Sequence, residues 1–117
     1  MAIYTSFFSN WRNFPEGSLE ISITRFPPKN WTGLEMWSLA PSAELLKMYK
    51  NKEIDEYMFA QKYIQEISDR GITRGLLNTF FKSLEFDNII LLCYEKKGDF
   101  CHRNILASWY GEEIKEL

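Results

Sequence analysis

Apolar and polar positions alternate at one place near the start of the chain, after a short β-branched and aromatic segment, and apolar positions recur at helical spacing over most of the remainder. Ile3 to Phe8, rich in β-branched and aromatic residues, predicts a first strand ending near Thr5 and Ser6. The polar run SNWRNFPEGS follows as a loop with room for one helical turn. Leu19, Ile21 and Ile23 then alternate with Glu20, Ser22 and Thr24, the period of a half-buried strand. RFPP stops it, because Pro27 and Pro28 have no N–H to give to a ladder and hold Phe26 extended.

From Pro41 the period becomes helical. Pro41 suits a first helical position, and Leu45, Leu46, Met48 and Tyr49 follow before Asn51. A second helix is expected from about Asp55 to Asp69, with Tyr57, Ala60, Tyr63, Ile64 and Ile67 on one face and Gly71 beyond its end. A third, about Thr73 to Leu84, carries Leu76, Leu77, Phe80, Phe81 and Leu84. After the turn at Asp87 and Asn88, IILLCYE is nearly continuously apolar, as a central strand covered on both faces would be. The last helix is expected after the Lys97 to Asp99 turn and through to the carboxyl terminus, burying Ile105, Leu106, Trp109, Tyr110, Ile114 and Leu117. The order strand, strand, helices, strand, helix predicts a small three-layer α/β domain with a mainly parallel sheet.

The 117 residues fit one domain spanning 1–117. With 45% hydrophobic and 26% charged residues, neither disorder nor a membrane protein is suggested, and the apolar run Ile89 to Cys93 is too short to span a bilayer. The start MAIYTSFFSNWRN lacks a secretory pattern, so a cytoplasmic location with both cysteines reduced is expected. The net charge of −2, from 16 acidic and 14 basic residues, does not support non-specific nucleic-acid binding but leaves room for local anion binding.

Ligands of open α/β sheets bind outside the carboxyl ends of the strands. That edge would gather Ser6, Arg25, Tyr94 and Glu95 with the stretch DFCHRN, residues 99–104. Cys101 at a helix amino terminus is a candidate nucleophile, since the unpaired N–H groups and nearby cations favour a thiolate. His102 is its candidate proton carrier and Glu95 a candidate general base or orienting partner. Arg25 and Arg103, with Ser6 and Tyr94, are candidate binders of a small anionic ligand such as a nucleotide. The alternative is structural: Asp99 caps the helix, Asp99 and Arg103 form a helical ion pair, and Cys101 is a small first-turn residue. Both stay open at this point.

Cys93, inside an apolar strand, reads as a buried core thiol. A metal site from Cys93, Cys101 and His102 lacks a second histidine and the paired spacings of zinc modules, so neither metal nor cofactor is expected. No Walker loop, dinucleotide fingerprint or metalloprotease motif is present. The loop from Phe26 to Ala40, with Trp31, Gly33 and Trp37, reads by default as a packed surface loop, with a lid over the site as the alternative. A different class of function, a non-catalytic module that binds a protein or nucleic acid through its aromatic loops, would use Trp11, Trp31 and Trp37.

LLCYEKKGDFCHRNILASWY, with a Cys-x-Glu strand end followed by Cys-His-Arg at a helix start, resembles the signature of the YeaO-like family, a domain of unknown function found in bacteria and their viruses. IYTSFFSN, ISITRFPP and LAPSAELL are similar to that family's segments, so the resemblance covers most of the chain. It implies an α/β fold and a shared polar set of Arg25, Cys93, Glu95, Cys101, His102 and Arg103, and it implies no reaction. The arrangement is similar to cysteine phosphatases and rhodaneses in setting a thiol between strand and helix. It departs from the phosphatase pattern because Arg103 follows Cys101 by two residues, not six, so the phosphate-cradling loop is absent.

Overall fold

The computed structural model describes residues 1–111 and 113–117. Five strands form one sheet: β1 (Ala2–Phe7), β2 (Leu19–Ser22), β3 (Leu34–Glu35), β4 (Asn88–Cys93) and β5 (Ile114–Glu116). Their order is β3-β2-β4-β1-β5 and every pairing is parallel. Four α-helices accompany them: α1 (Ala43–Lys50), α2 (Glu56–Asp69), α3 (Arg74–Ser83) and α4 (His102–Tyr110). The α/β class and the central place of β4 follow from the sequence pattern.

The two sheet faces are covered differently. Ile89 and Leu91 point to the face where Leu45, Phe59, Tyr63, Ile67, Leu77, Phe81 and Leu106, drawn from all four α-helices, join Ile3, Ile21 and Ile23 in the main core. Ile90 and Leu92 point the other way, onto Phe8, with Tyr4, Phe14, Trp31 and Leu117 packed around them. That second layer is made by the 3-10 turn Phe8–Asn13 and the Trp31 loop, not by an α-helix. β4 is nevertheless buried on both faces, which explains its unbroken apolar run.

Two strands escape the pattern. β3 is two exposed residues at the sheet edge, too short to show a period. β5 corrects the expectation of a helix to the carboxyl terminus: α4 stops at Tyr110, and Gly111, at φ 140°, takes a backbone path closed to most side chains. The chain then lays Ile114 beside Ile3 and Glu116 beside Thr5.

The loop before α1 is clamped, against its reading as a lid. Arg70 donates to the carbonyls of Ser38 (2.8 Å) and Ala40 (2.7 Å), Tyr63 donates its hydroxyl to Leu39, and Glu66 accepts from the backbone N–H and hydroxyl of Ser42. Burial pushes the Tyr63 hydroxyl pKa upward, so it stays a donor. Trp31 is also fixed, with its indole N–H on Glu20 (3.1 Å) and its ring against Phe8. A Cβ at Gly33 would meet the Glu20 carbonyl oxygen at 2.6 Å and overlap the Trp31 ring, so glycine is required for this close approach.

Candidate functional site

Because every strand runs the same way, Phe7, Ser22, Cys93 and Glu116 all lie at one edge, and α4 starts over it. Cys93 occupies the β4 position that follows Ile89 and Leu91 on the helix-covered face, so its side chain meets α4. Cys101 is the N-cap of that helix, and the Sγ atoms of Cys93 and Cys101 are in disulfide contact. Unlike Ser42, Asp55 and Thr73, which cap the other three helices through side-chain oxygens, Cys101 offers the α4 N–H groups no side-chain acceptor.

His102 is buried and its Nε2–H donates to the Ile23 carbonyl at 2.7 Å. A carbonyl only accepts, so the proton resides on Nε2 and the lone pair of Nδ1 faces Cys101 Sγ, 3.7 Å away. Desolvation, aided by the Arg103 charge and opposed by the Ile23 hydrogen bond, lowers the imidazole pKa to about 4. With Cys101 in disulfide contact, His102 is therefore neutral at neutral pH. Reduction sets a thiolate opposite Nδ1, and that charge favours the imidazolium.

Arg103 has no exposed surface. Its Nε donates to Glu116 Oε1 at 2.9 Å, and its Nη1 donates to Cys93 Sγ at 2.9 Å and to the Glu95 carbonyl at 2.6 Å. Nη2 is buried without a partner among the described residues. The guanidinium carbon also stands 5.9 Å from the centre of the Phe7 ring.

A cavity of about 320 Å³ opens at the same edge, lined by Thr24, Arg25, Phe26, Tyr94, Glu95 and His102 with Pro41, Ala43 and Leu46. Arg25 is steadied there by its Nε–H on the Pro41 carbonyl at 3.2 Å, and Tyr94 by its hydroxyl on the Phe26 carbonyl and its ring against Phe8. A larger cavity of about 500 Å³ beside Met1, Arg74 and Tyr110 is lined by neither cysteine nor histidine.

Residues 8–113 match the family model described as "Active DUF488-N3 subclade". The chain belongs to the DUF488-N3a family. The YeaO-like resemblance falls within the same DUF488 grouping. No curated protein and no solved structure matches the chain.

In this DUF488-N3a chain Arg25, Tyr94, Glu95 and His102 share the cavity, with Cys101 directly behind His102. Ser6 does not join them: it is paired with Leu92 on the opposite sheet face, where Asn10 donates to its hydroxyl at 3.0 Å. Arg103 does not flank Arg25 either, because its guanidinium is turned inward to Cys93 and Glu116. The Asp99 cap and the Asp99–Arg103 pair are absent among the described residues: the N-cap is Cys101, and the carboxylate on Arg103 is Glu116. The Glu95 side chain is exposed, and its backbone carbonyl, not its carboxylate, touches Arg103.

Sequence reasoning missed Glu116 because the helix reading of the last segment hid β5. The stop signal was Gly111. It also underrated Cys93, whose place two residues after Leu91 turns it toward α4. The Sγ atoms of Cys93 and Cys101 and a ring nitrogen of His102 lie within 4.8 Å of one another, close enough to share a metal ion. Such binding requires two sulfurs that are reduced and apart, whereas here they are in disulfide contact. The chemistry the paired sulfurs offer is thiol–disulfide exchange.

Proposed function

We propose that this DUF488-N3a domain is a small thiol-dependent enzyme that holds an anionic small molecule, with nucleotides and their components among the candidates, at the carboxyl edge of its sheet. Cys101 is the nucleophile, His102 carries its proton, and Arg25 meets the anion at the cavity. The observation that supports this most is the fixed tautomer of His102: Nε2–H is committed to Ile23, so the only lone pair of the ring faces the Cys101 sulfur from the wall of a ligand-sized cavity. Cys101 at the α4 amino terminus adds the partial positive charge that stabilises a thiolate. Glu95 and Tyr94 border the ligand without touching the sulfur.

The test has two arms. In reduced protein, iodoacetamide is expected to alkylate Cys101 faster than Cys93, with an apparent pKa below the free-thiol value of about 8.5; equal or slower labelling of Cys101 removes it as nucleophile. In a thermal-shift screen of nucleotides, phosphate and small carboxylates, a ligand at ~100 times its Kd adds about 2.7 kcal/mol. The shift is expected to vanish in Arg25→Ala, and a shift that survives this change removes Arg25 from the site.

A second reading, a non-catalytic interaction module, is favoured by the large rings left exposed: Phe26 at 80%, Trp11 at 58% and Trp37 at 54%. Trp31, packed on Phe8, is not part of that surface. This reading expects Cys101→Ser to leave function intact while Trp11→Ala and Trp37→Ala abolish it.

A further inference from the structure

Cys93 has no role in the mechanism above, yet its surroundings are not those of a packing residue. Its sulfur accepts from the Arg103 guanidinium at 2.9 Å and touches the sulfur of the proposed nucleophile. We infer that Cys93 and Cys101 are a dithiol–disulfide couple that reduces a low-molecular-weight, carboxylate-bearing disulfide bound at Arg25. This rests on the proposed role of Cys101 and names the substrate class of that same site.

Three observations carry it. Each sulfur has its own means of holding negative charge: Arg103 Nη1 for Cys93, and the uncapped amino terminus of α4 with the facing imidazole for Cys101. Reduction also places an anionic sulfur beside a buried guanidinium that has one donor without a partner. Second, the Cα atoms stand 7.7 Å apart, wider than the roughly 4.4–6.8 Å usual for structural cross-links. At that separation a relaxed cross-link needs backbone movement, so the spacing does not suit a permanent staple. Third, Cys93 is 0% and Cys101 3% exposed, and the adjoining cavity is about 320 Å³. Burial at that depth keeps a protein disulfide out, and His102, which lines the cavity in front of Cys101, marks the side from which one half of a small disulfide reaches the sulfur, with Arg25 at the rim to take its carboxylate.

The electrons balance over two exchanges. Cys101 gives its proton to His102 Nδ1, and the thiolate attacks one sulfur of the bound disulfide. The ligand S–S bond breaks, a Cys101–ligand mixed disulfide forms, and the first ligand thiolate leaves with the proton from His102. Cys93, as a thiolate against Arg103, then attacks Cys101 Sγ. The Cys93–Cys101 bond forms and the second ligand thiolate leaves, taking from solvent the proton that Cys93 had released to it. Two protein thiols are oxidised and one ligand disulfide is reduced to two thiols, which leaves the two protein sulfurs joined.

The test mixes fully reduced protein with oxidised glutathione and follows the intact mass, with alkylation to map free thiols. The wild type is expected to end as an internal Cys93–Cys101 disulfide without a retained glutathione adduct. Cys93→Ser is expected to stop at a glutathione adduct on Cys101, and Arg25→Ala to slow the wild-type reaction about tenfold or more, as loss of one charged hydrogen bond would. Cys93→Ala serves if the serine variant does not fold, as judged by far-UV circular dichroism. A wild type that accumulates the Cys101 adduct and never closes the internal bond overturns the couple and leaves Cys101 as nucleophile. Protein whose Cys101 is inert to both glutathione and iodoacetamide, with and without Cys93, overturns the couple and the proposed function together. An unchanged rate in Arg25→Ala overturns the carboxylate assignment.

Discussion

A guanidinium with no exposed surface has to find acceptors inside the protein, and Arg103 finds a carboxylate, a carbonyl and a sulfur within two residues of the proposed nucleophile. The Glu116 carboxylate is its only counter-charge in the oxidised state among the described residues. Glu116→Gln keeps the shape but removes that charge, and the cost of an unpaired buried cation in a partly solvated pair is expected to be roughly 2 kcal/mol. Adding Arg103→Met to Glu116→Gln is expected to recover part of the loss, because an apolar residue of similar volume needs no counter-charge. Urea unfolding of the oxidised proteins measures both. A double variant no more stable than Glu116→Gln alone would show that Arg103 stabilises by packing instead of by its ion pair.

At the level of elements, how a helix starts decides what its first turn can do. Ser42, Asp55 and Thr73 each satisfy an N–H of the third following residue, so α1, α2 and α3 begin closed. Thr73→Ala is expected to cost about 1 kcal/mol for that reason. Cys101→Ser in the reduced protein is expected to do the reverse, adding up to about 1 kcal/mol by supplying the oxygen that α4 lacks, while removing the thiol. Unfolding midpoints under reducing conditions decide between these signs. These elements also mark how far the sequence could be read. Helical spacing placed α1, α2, α3 and the start of α4, and alternation placed β2, because each buries one face against the same core. β3 was invisible because two exposed edge residues carry no period. β5 was hidden because Ile114 and Leu117 also fit a helical spacing counted from Tyr110. Gathering Arg25, Tyr94, Glu95 and His102 needed only the carboxyl-edge rule and parallel strands. A strand-end position puts Ser6 with the site without fixing its face, and Arg103 falls to Asp99 or an anion while Glu116 is hidden with β5.

For the whole molecule, His102 couples the site to global stability. Its ring sits under the Tyr63 ring of α2 (5.6 Å), between Ile23 at the end of β2 and Cys101 before α4, with the Arg103 charge on its own helix. The folded pKa of about 4 lies below the ordinary imidazole value of 6.5. Between those values the unfolded chain binds the proton and the folded one does not, so acidification favours unfolding. The neutral-pH stability is full above about pH 6.5, falls as pH drops through the window, and levels off below about pH 4 once both states are protonated. The size of that loss is roughly 3 kcal/mol for the oxidised protein. His102→Gln can keep a donor to Ile23 but cannot titrate, so its stability is expected to lack this part of the fall. Urea titrations at intervals from pH 7 to pH 4, compared between wild type and His102→Gln, isolate the contribution from that of the carboxylates. Parallel pH profiles for the two proteins would mean that His102 is not held neutral by burial, and the fixed lone pair facing Cys101 would lose its support.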